Sequence, residues 1–461
     1  MEQLEVLNPA TNEVIERLNY TSHEEISAQI EGAFESFQQW KQVDAHERSA
    51  KLYKWAALID SHQDEIARLI TLEGGKPLAE AQGEVAYANS YVKWYAEEAK
   101  RIYGRTIPAN TPSKKIVVDK FPVGVVGAIT PWNFPAAMIT RKMAPALAAG
   151  CTIICKPAVK TPLTTIKLVE LAHEAGIPKH AISYIIASGK DAGDIFTEHD
   201  QINKITFTGS TEVGKTLIEQ SAKTVKNVTM ELGGLAPFIV HNDADIDAAV
   251  DGTIASKFRN AGQTCICANR IFVHRDIVEQ YTERLVKKVH ALSIGDGLKD
   301  DVKIGPLIDN NAVDKVLTHI TDAQEKGGKL SRSLDEIQAL GGNFLKPVVI
   351  SNVDLDMKVM HEETFGPVAP IMAYDHLDEV IRIANDTEFG LASYFFTNNY
   401  RTGIKLFNEL DYGVIGWNDG GPSAAHAPFG GLKQSGYGRE GGTEGIEPYL
   451  ETKYLSIETD E

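Results

Sequence analysis

A cysteine and a glutamate are the two residues of this chain with the most distinctive potential chemistry. Cys265 lies in a short polar segment, residues 258–267, which reads Phe-Arg-Asn-Ala-Gly-Gln-Thr-Cys-Ile-Cys. A cysteine thiolate can attack a carbonyl carbon and leave an acyl-enzyme. Glu231 comes just before a glycine pair that allows close backbone approach, and a carboxylate can activate the water that hydrolyses such an intermediate. The pair predicts thiol-based catalysis.

Asn133 lies in a proline-flanked segment between Trp132 and Phe134. Its side-chain N–H could hold a developing oxyanion, jointly with the backbone N–H of Cys265. An asparagine in such a segment is also a common turn residue, so a purely local role is the alternative.

Two arginines accompany these residues. Arg141 lies in the helical stretch after Asn133, and Arg259 lies six residues before Cys265. In an acidic protein, two arginines could clamp a carboxylate bidentately. The alternative is that each forms an ion pair with a structural carboxylate.

A glycine-containing turn is a candidate nucleotide site. Residues 207–214 read Phe-Thr-Gly-Ser-Thr-Glu-Val-Gly and run from a predicted strand into a predicted helix. Backbone N–H groups and the helix dipole there could face a pyrophosphate. A literal Gly-x-Gly-x-x-Gly occurs at Gly436, Gly438 and Gly441, but too few residues follow it for the βαβ unit that this motif requires. We therefore reject that match as a dinucleotide site.

The remaining cysteines raise the question of a metal site. Cys265 and Cys267 form Cys-x-Cys, whereas structural zinc more often uses Cys-x₂₋₄-Cys pairs. Cys151 and Cys155 lie in an apolar stretch, where thiols are usually inert. We expect no metal. A further hypothesis is a reversible Cys265–Cys267 disulfide that inactivates the protein under oxidation.

Helices and short strands must position these residues. The first hundred residues look helical, with a capping box at Ser22 and Glu25 and with amphipathic runs at about 45–72 and 79–102. Five β-branched strands then alternate with helices such as 136–149, 163–175 and 213–223, which predicts a doubly wound parallel sheet. The predicted strands are 123–129, 152–156, 182–187, 204–207 and 227–232.

Ligands of such sheets bind beyond the carboxyl ends of the strands, where Asn133, Lys156, Ser210 and Glu231 all fall. A second βα series should form a catalytic domain that starts just after Gly234. Its predicted strands are 237–240, 270–273, 347–350, 368–374, 392–396 and 414–417. Residues 447–455 alternate like a strand and, with residues 115–120, could form an arm that pairs with another subunit.

Composition excludes several classes of function. With 461 residues, 43% apolar and 24% charged, the chain predicts a globular protein of two or three domains. Its formal charge of −17 argues against nucleic-acid binding. No apolar run reaches membrane-spanning length, the N-terminus does not resemble a signal peptide, and four cysteines are too few for a disulfide scaffold. We expect a cytoplasmic protein.

The chain resembles the aldehyde dehydrogenase superfamily over essentially its whole length. Within that superfamily, residues 138–142, 258–270 and 445–450 are most similar to succinate-semialdehyde dehydrogenases. The matching motifs are Pro-Trp-Asn-Phe-Pro at 131–135, Lys-Pro at 156–157, Phe-Thr-Gly-Ser at 207–210, Glu-Leu-Gly-Gly at 231–234, Gly-Gln-Thr-Cys at 262–265, Glu-Thr-Phe-Gly-Pro at 363–367 and Pro-Phe-Gly-Gly at 428–431.

The resemblance implies an α/β subunit that assembles into homodimers or homotetramers. It assigns residues 1–103 and 123–233 to a cofactor-binding domain, 234–434 to a catalytic domain, and 104–122 and 435–461 to a small β oligomerisation arm. It makes Cys265 the nucleophile, Glu231 the general base and Asn133 the oxyanion ligand. The implied cofactor contacts are Thr130, Trp132, Lys156, Val159, Lys160, Gly209, Ser210, Gly214, Glu363 and Phe365. The implied substrate contacts are Arg141, Arg259, Ser423 and Phe429.

Two positions depart from the family pattern. Leu235 replaces the usual Asn, Lys or Ser, and we have no physical account of that change. Val159 stands where relatives that prefer NAD often carry a glutamate for the adenosine ribose. Without that carboxylate, and with Lys160 adjacent, a 2′-phosphate would not be repelled, so we expect NADP in preference to NAD.

The expected reaction is the NAD(P)-dependent oxidation of succinate semialdehyde to succinate, through a thiohemiacetal and a thioester on Cys265. Two alternatives remain open. One is a betaine-type or broad-range aldehyde dehydrogenase, for which the two arginines would not favour an anionic substrate. The other is a nucleotide-binding protein that keeps the fold without catalysis.

Overall fold

The protein is described over residues 3–458 in a computed structural model. Residues 1–2, at the start of the predicted cofactor-binding domain, and residues 459–461, at the end of the predicted arm, lie outside this range. The α-helices are α1 (His23–Trp40), α2 (Ala45–Ser61), α3 (Gln63–Gly74), α4 (Leu78–Glu98), α5 (Ala137–Ala149), α6 (Leu163–Glu174), α7 (Gly189–Glu198), α8 (Thr211–Ser221), α9 (Ile246–Lys257), α10 (Val278–His290), α11 (Asn310–Glu325), α12 (Leu334–Gln338), α13 (Leu377–Asn385) and α14 (Tyr400–Glu409).

The strands fall into five sheets. They are β1 (Gln3–Leu7), β2 (Val14–Asn19), β3 (Arg105–Ile107), β4 (Lys114–Pro122), β5 (Val125–Ile129), β6 (Thr152–Lys156), β7 (Ile182–Tyr184), β8 (Ile202–Thr208), β9 (Asn227–Glu231), β10 (Ala236–Val240), β11 (Ala268–His274), β12 (Lys329–Leu330), β13 (Val348–Ser351), β14 (Val368–Tyr374), β15 (Phe389–Gly390), β16 (Ala392–Phe396), β17 (Val414–Trp417), β18 (Leu432–Lys433), β19 (Gly436–Tyr437) and β20 (Leu450–Glu458).

The N-terminal helices begin and end where their terminal residues predict. The side chain of Ser22 caps α1 in a capping box with Glu25, and Gly75, with a left-handed φ of 80°, ends α3. The run predicted at 45–72 is two helices, α2 and α3, which meet at His62. The first hundred residues are not helical throughout, because β1 and β2 form a hairpin that was not predicted, although β1 alternates exposed and buried residues as a strand does.

The first large sheet has the order β19-β9-β8-β5-β6-β7. Strands β5 to β9 are parallel, and every residue of β5 and β6 is buried, because helices cover both faces. The chain starts at the central strand β5, builds outward through β6 and β7, and then returns to β8 and β9. This doubly wound order confirms the predicted α/β class and leaves a crevice beyond the carboxyl end of β5.

Strand β19 pairs antiparallel with β9, placing Gly436 opposite Glu231. The second large sheet, β12-β13-β14-β11-β10-β16-β17, is parallel except for β12. Three of its predicted strands, β14, β16 and β17, have the predicted bounds. The third sheet pairs β20 with β4 over nine residues, with β3 on the other side of β4.

Two large hydrophobic clusters form the core, one around β10, β11 and β14 and the other around α2, α4 and α5. Cys265 packs against both clusters and is partly exposed. It therefore lies where the two clusters meet. Within residues 3–458, no helix has the length and apolar character needed to cross a bilayer.

Candidate active site

The loop that carries Cys265 has a strained backbone. Asn260, Ala261 and Gly262 all have left-handed φ values, of 50°, 55° and 77°. Such conformations cost non-glycine residues roughly 1–2 kcal/mol each. A Cβ atom at Gly262 would lie 2.2 Å from the carbonyl oxygen of Gly366, so this position requires glycine. The carboxylate of Glu80 accepts the backbone N–H of Asn260 at 2.7 Å, which helps to hold the turn.

The thiol of Cys265 lines a cavity of about 280 Å³. Burial raises the pKa of this thiol to about 12, and the positive charge of Arg141 acts in the opposite direction. The same cavity contacts Gly209 and Ser210, so a continuous space joins the thiol to the predicted nucleotide turn. The cavity is lined by Pro131, Trp132, Asn133, Met138, Thr208, Gly209, Ser210, Leu232, Gly233, Cys265, Ala312, Lys315, Glu363, Thr364 and Phe365.

Asn133 lines this cavity together with Cys265. Its Nδ2 donates to the carbonyl of Gln263 at 3.0 Å. The backbone carbonyl of Asn133 accepts from Lys76 Nζ at 2.7 Å and from Asn260 Nδ2 at 3.1 Å. An amide nitrogen carries two hydrogens, so one remains for an oxyanion beside the sulfur.

The carboxyl group of Glu231 is buried at the end of β9. Neither of its oxygens has a hydrogen-bond partner in the described part of the chain. Burial and the nearby charge of Glu440 raise its pKa well above the usual value, against the effects of Arg141 and Lys142. Glu231 is not among the lining residues of the cavity at Cys265, but the next two residues, Leu232 and Gly233, are.

Lys142 and Glu440 belong to this charged group and were not predicted. Lys142 donates to Thr208 Oγ1 at 2.7 Å and forms a buried ion pair with Glu440. Glu440 also pairs with Arg141, so one carboxylate faces two cations. Its segment contains the rejected glycine motif and pairs with β9 through β19, the edge strand of the first large sheet.

Several groups on the other side of the cavity suit a nucleotide. The cavity reaches Gly209 and Ser210 at the N-terminus of α8, where Ser210 Oγ caps the helix by accepting from Val213 N at 3.4 Å. Glu363 Oε1 is buried without a hydrogen-bond partner in residues 3–458, and burial raises the pKa of this carboxyl to about 7. Phe365, at a left-handed φ of 54°, packs edge-on against Trp132. A ribose hydroxyl would satisfy the orphaned oxygen, so these residues fit the expected cofactor.

The other predicted cofactor residues do not line this cavity. Lys156 is buried at the end of β6, and burial lowers its pKa to about 8. Val159 packs in a small apolar cluster, while Lys160 forms an ion pair with Asp309 and lies 5.9 Å from the Trp132 ring centre.

Thr130 and Gly214 have backbone roles. Thr130 is buried, and its N–H donates to Lys156 O at 3.2 Å. Gly214 lets α8 pack against β9, because a Cβ atom there would lie 2.4 Å from the side chain of Leu232.

The predicted substrate residues come together beside the thiol. Arg141, Arg259, Ser423 and Phe429 line one narrow pocket with Cys265. The guanidinium of Arg141 lies 4.6 Å from the ring centre of Phe429, and that of Arg259 lies 4.6 Å from the ring centre of Phe134.

The two arginines differ in their ionic partners. Arg141 pairs with Glu440, as the alternative interpretation expected, but its Nη2 has no hydrogen-bond partner within residues 3–458. No carboxylate of the described chain forms an ion pair with Arg259. Tyr87, Met138 and Thr264 also line the pocket and were missed.

The other cysteines lie away from the cavity. All four cysteines are free. Cys267 is buried, donates to Gly262 O at 3.3 Å and accepts from Lys257 Nζ at 3.6 Å. The residues described contain no group of three or more His, Cys, Asp or Glu that could hold a metal ion.

Comparison with known proteins gives a consistent family. The model of the aldehyde dehydrogenase family matches residues 1–455. The alignments with three relatives include 98–99% of this chain and 94% of each relative's length. They are a 3-sulfolactaldehyde dehydrogenase of Pseudomonas putida at 50% identity, a glutarate-semialdehyde dehydrogenase of Pseudomonas putida at 51%, and an NADP-dependent succinate-semialdehyde dehydrogenase of Escherichia coli at 49%.

The fold agrees with this result. The crystal structure of a succinate-semialdehyde dehydrogenase from Burkholderia pseudomallei superimposes with a TM-score of 0.98 at 47% identity, covering 99% of this chain and 95% of that one. The expected fold is thereby confirmed. Because the family model matches residues 1–455 and these relatives are 49–51% identical over nearly the whole chain, the chain belongs to the aldehyde dehydrogenase family.

Proposed function

We propose that this protein oxidises a short aldehyde with a carboxylate at its far end, and that succinate semialdehyde is its substrate. The observation that carries this proposal is the presence of Arg141 and Arg259 in the same pocket as the Cys265 thiol. Two guanidinium groups can bind a carboxylate while its aldehyde end reaches the sulfur. The relatives' names agree, since sulfolactaldehyde and the two semialdehydes all carry an anionic group away from the aldehyde.

The first step joins the sulfur of Cys265 to the aldehyde carbon. Because its pKa is raised, the thiol carries a proton at neutral pH, and this proton passes to solvent as the sulfur attacks; the charge of Arg141 favours the thiolate. The carbonyl oxygen becomes an oxyanion, which the Asn133 amide and the Cys265 N–H stabilise by hydrogen bonds. Binding of the far carboxylate holds the aldehyde at the sulfur during this step.

A bound nicotinamide nucleotide supplies the acceptor for the hydride that leaves the aldehyde carbon. A thioester then links the substrate to Cys265. Glu231 takes a proton from a water molecule, whose oxygen attacks the thioester carbon, and the carbon–sulfur bond breaks. The carboxylic acid leaves, and the proton held by Glu231 returns to the Cys265 thiolate, which regenerates both groups. Because Glu231 does not line the cavity, its carboxyl must turn toward the thioester for this step.

We further propose that NADP is preferred to NAD, with both accepted. Val159 places no carboxylate at its own position, and Lys160 is exposed beside it. A 2′-phosphate would therefore meet no negative charge from residue 159, and it could compete with Asp309 for the Lys160 amino group. Lys156, which lacks a carboxylate partner in the described chain, would bind the same ribose.

The remaining proposals concern assembly and location. We propose residues 1–103 and 123–233 as the cofactor-binding domain, 234–434 as the catalytic domain, and 104–122 and 435–461 as an arm that joins subunits into a homodimer or homotetramer. The nine-residue pairing of β20 with β4 supports the arm. A cytoplasmic location fits four free cysteines in an acidic chain.

The decisive experiment compares two four-carbon aldehydes, succinate semialdehyde and butanal, with NADP and NAD in parallel. We expect the ratio of their kcat/KM values to favour succinate semialdehyde in the wild type. Arg259→Gln should lower this ratio about tenfold or more, because a hydrogen-bonded charge is lost from the pocket. Arg275→Gln, which removes an exposed arginine that pairs with Asp375, is the matched control. A wild type that oxidises butanal equally well would refute the proposal.

A further inference from the structure

One face of α4 is directed toward the active site. Glu80, Glu84, Tyr87 and Tyr91 recur at spacings of four, three and four residues, which places them on one side of a helix. Glu80 holds the backbone of Asn260, and Glu84 pairs with buried Lys76. Both glutamates are therefore occupied by structural contacts. Tyr87 differs, because it lines the narrow pocket that contains Cys265 and the two arginines.

The hydroxyl groups of Tyr87 and Tyr91 share one hydrogen bond. Their oxygens are 2.6 Å apart, and the rings meet edge to face with centres 5.1 Å apart. Tyr91 is fully buried, and burial raises its pKa well above the usual value, so this hydroxyl keeps its proton. Within residues 3–458, Tyr87 is the only hydrogen-bond partner of that hydroxyl.

The direction of this hydrogen bond follows from burial. A buried hydroxyl proton without an acceptor costs free energy, so Tyr91 must donate to the oxygen of Tyr87. The proton of Tyr87 is then free to point elsewhere. Since Tyr87 is half-buried and lines the pocket, the space open to this proton is the pocket itself.

The arginine groups nearby leave room for such a donor. Both tyrosines lie close enough to Arg141 to contribute to the raised pKa of its guanidinium. A carboxylate can accept about four hydrogen bonds. If Arg141 Nη2 and the guanidinium of Arg259 donate some of these, at least one position remains for another donor. A neutral hydroxyl can occupy another position without adding a third positive charge to the pocket.

We propose that Tyr87 is a specificity-determining residue that donates a hydrogen bond to the far carboxylate of the aldehyde, and that Tyr91 acts as a positioning residue by orienting the Tyr87 hydroxyl. This inference rests on the proposed function. It adds a neutral third donor to the two arginines and gives α4 a direct part in substrate selection.

The test uses Tyr87→Phe in the full-length protein, with succinate semialdehyde and butanal as substrates. We expect the ratio of the two kcat/KM values to fall about tenfold or more, mainly through a higher KM for succinate semialdehyde, because a hydrogen bond to a charged group is lost. Succinate, used as an inhibitor of butanal oxidation, should bind correspondingly more weakly. A decrease of less than about threefold in the ratio would overturn the inference.

Tyr91→Phe is the matched variant, since it removes a hydroxyl from the same helix face but outside the pocket lining. It should lower the ratio by a smaller factor than Tyr87→Phe, again through KM with kcat little affected. An equal loss in both variants, or a loss through kcat alone, would contradict the assigned roles. If the wild type favours succinate semialdehyde and Arg259→Gln removes that preference while Tyr87→Phe keeps it, this inference fails and the proposed function stands.

Discussion

Glu231 is a buried acid whose surroundings do not satisfy it. Both oxygens lack a hydrogen-bond partner within residues 3–458, and a Cβ atom at Gly430 would lie 2.8 Å from one of them. An unpaired buried carboxyl costs folding free energy, which suggests a functional reason for keeping it. The raised pKa of Glu231 makes its carboxylate a stronger base, which suits the proposed activation of water.

Replacing Glu231 by glutamine should separate the two halves of the reaction. The thioester should form on Cys265 and then accumulate, because no carboxylate remains to activate water. We expect steady-state turnover to fall about 10²- to 10⁴-fold, while one equivalent of reduced cofactor still appears in a burst. Mass spectrometry of the quenched protein should find the acyl group on Cys265.

The control for this experiment is Glu388→Gln, which changes an exposed carboxylate. It should turn over at the wild-type rate. If Glu231→Gln also showed neither a slower turnover nor an acyl adduct, another group would have to serve as the base.

At this scale the sequence predicted the residues with distinctive chemistry. Cys265, Asn133, Arg141 and Arg259 were expected, and they line connected parts of one site. Tyr87 could not be singled out, because a tyrosine on an amphipathic helix is ordinarily a packing residue. The helical spacing of Glu80, Glu84, Tyr87 and Tyr91 did carry a signal. Two acids on the buried face of a helix need polar partners, so this face could have been predicted to lie against a polar site.

Helix α5 illustrates how whole elements are positioned around the site. Its first N–H groups have no intrahelical partners. Glu84 of α4 accepts two of them, from Ala136 at 2.9 Å and Ala137 at 3.3 Å. The same carboxylate pairs with Lys76, whose amino group holds the backbone of Asn133. One buried ion pair thus fixes both Asn133, the proposed oxyanion ligand, and the helix that carries Arg141.

Glu84→Gln should therefore destabilise the protein strongly. It leaves the buried charge of Lys76 unpaired, which costs about 3–5 kcal/mol. The midpoint of urea-induced unfolding should move to a lower concentration. Lys76→Met combined with Glu84→Gln removes the orphaned charge and should recover part of the loss. Equal midpoints for wild type and Glu84→Gln would show that the pair contributes nothing to stability.

The elements themselves were largely predictable, because buried parallel strands and amphipathic helices have distinct apolar periods. Strands β6, β14, β16 and β17 have the predicted bounds. The short strands β12, β15, β18 and β19 were missed, since two residues carry no period. Each of these strands is defined by pairing with a segment that is distant in the sequence.

The surface of the arm sheet carries large apolar side chains. Tyr454 and Leu455 on β20 are 74% and 58% exposed. Exposed apolar groups on a strand favour contact with another protein surface. This placement supports an arm that binds a second subunit.

Replacing Tyr454 and Leu455 by lysine should weaken subunit association, by about 2 kcal/mol or more if they are central to the interface. Light scattering coupled to size-exclusion chromatography should then find smaller particles at equal protein concentration. Val225→Lys changes another exposed apolar residue, 89% exposed and outside the arm, and serves as the control. An unchanged molar mass in the double variant would place the subunit contact elsewhere.

The pairing of Gly436 with Glu231 has a consequence for how the protein is made. These partners are separated by about 200 residues, so β9 is synthesised long before β19. At roughly 5–20 residues per second, a ribosome needs about 10–40 s to cover that distance. Throughout this interval the strand that ends in Glu231 presents a bare edge, open to chaperones or to neighbouring nascent chains. The surroundings of Glu231 are therefore among the last parts of the molecule to form during translation.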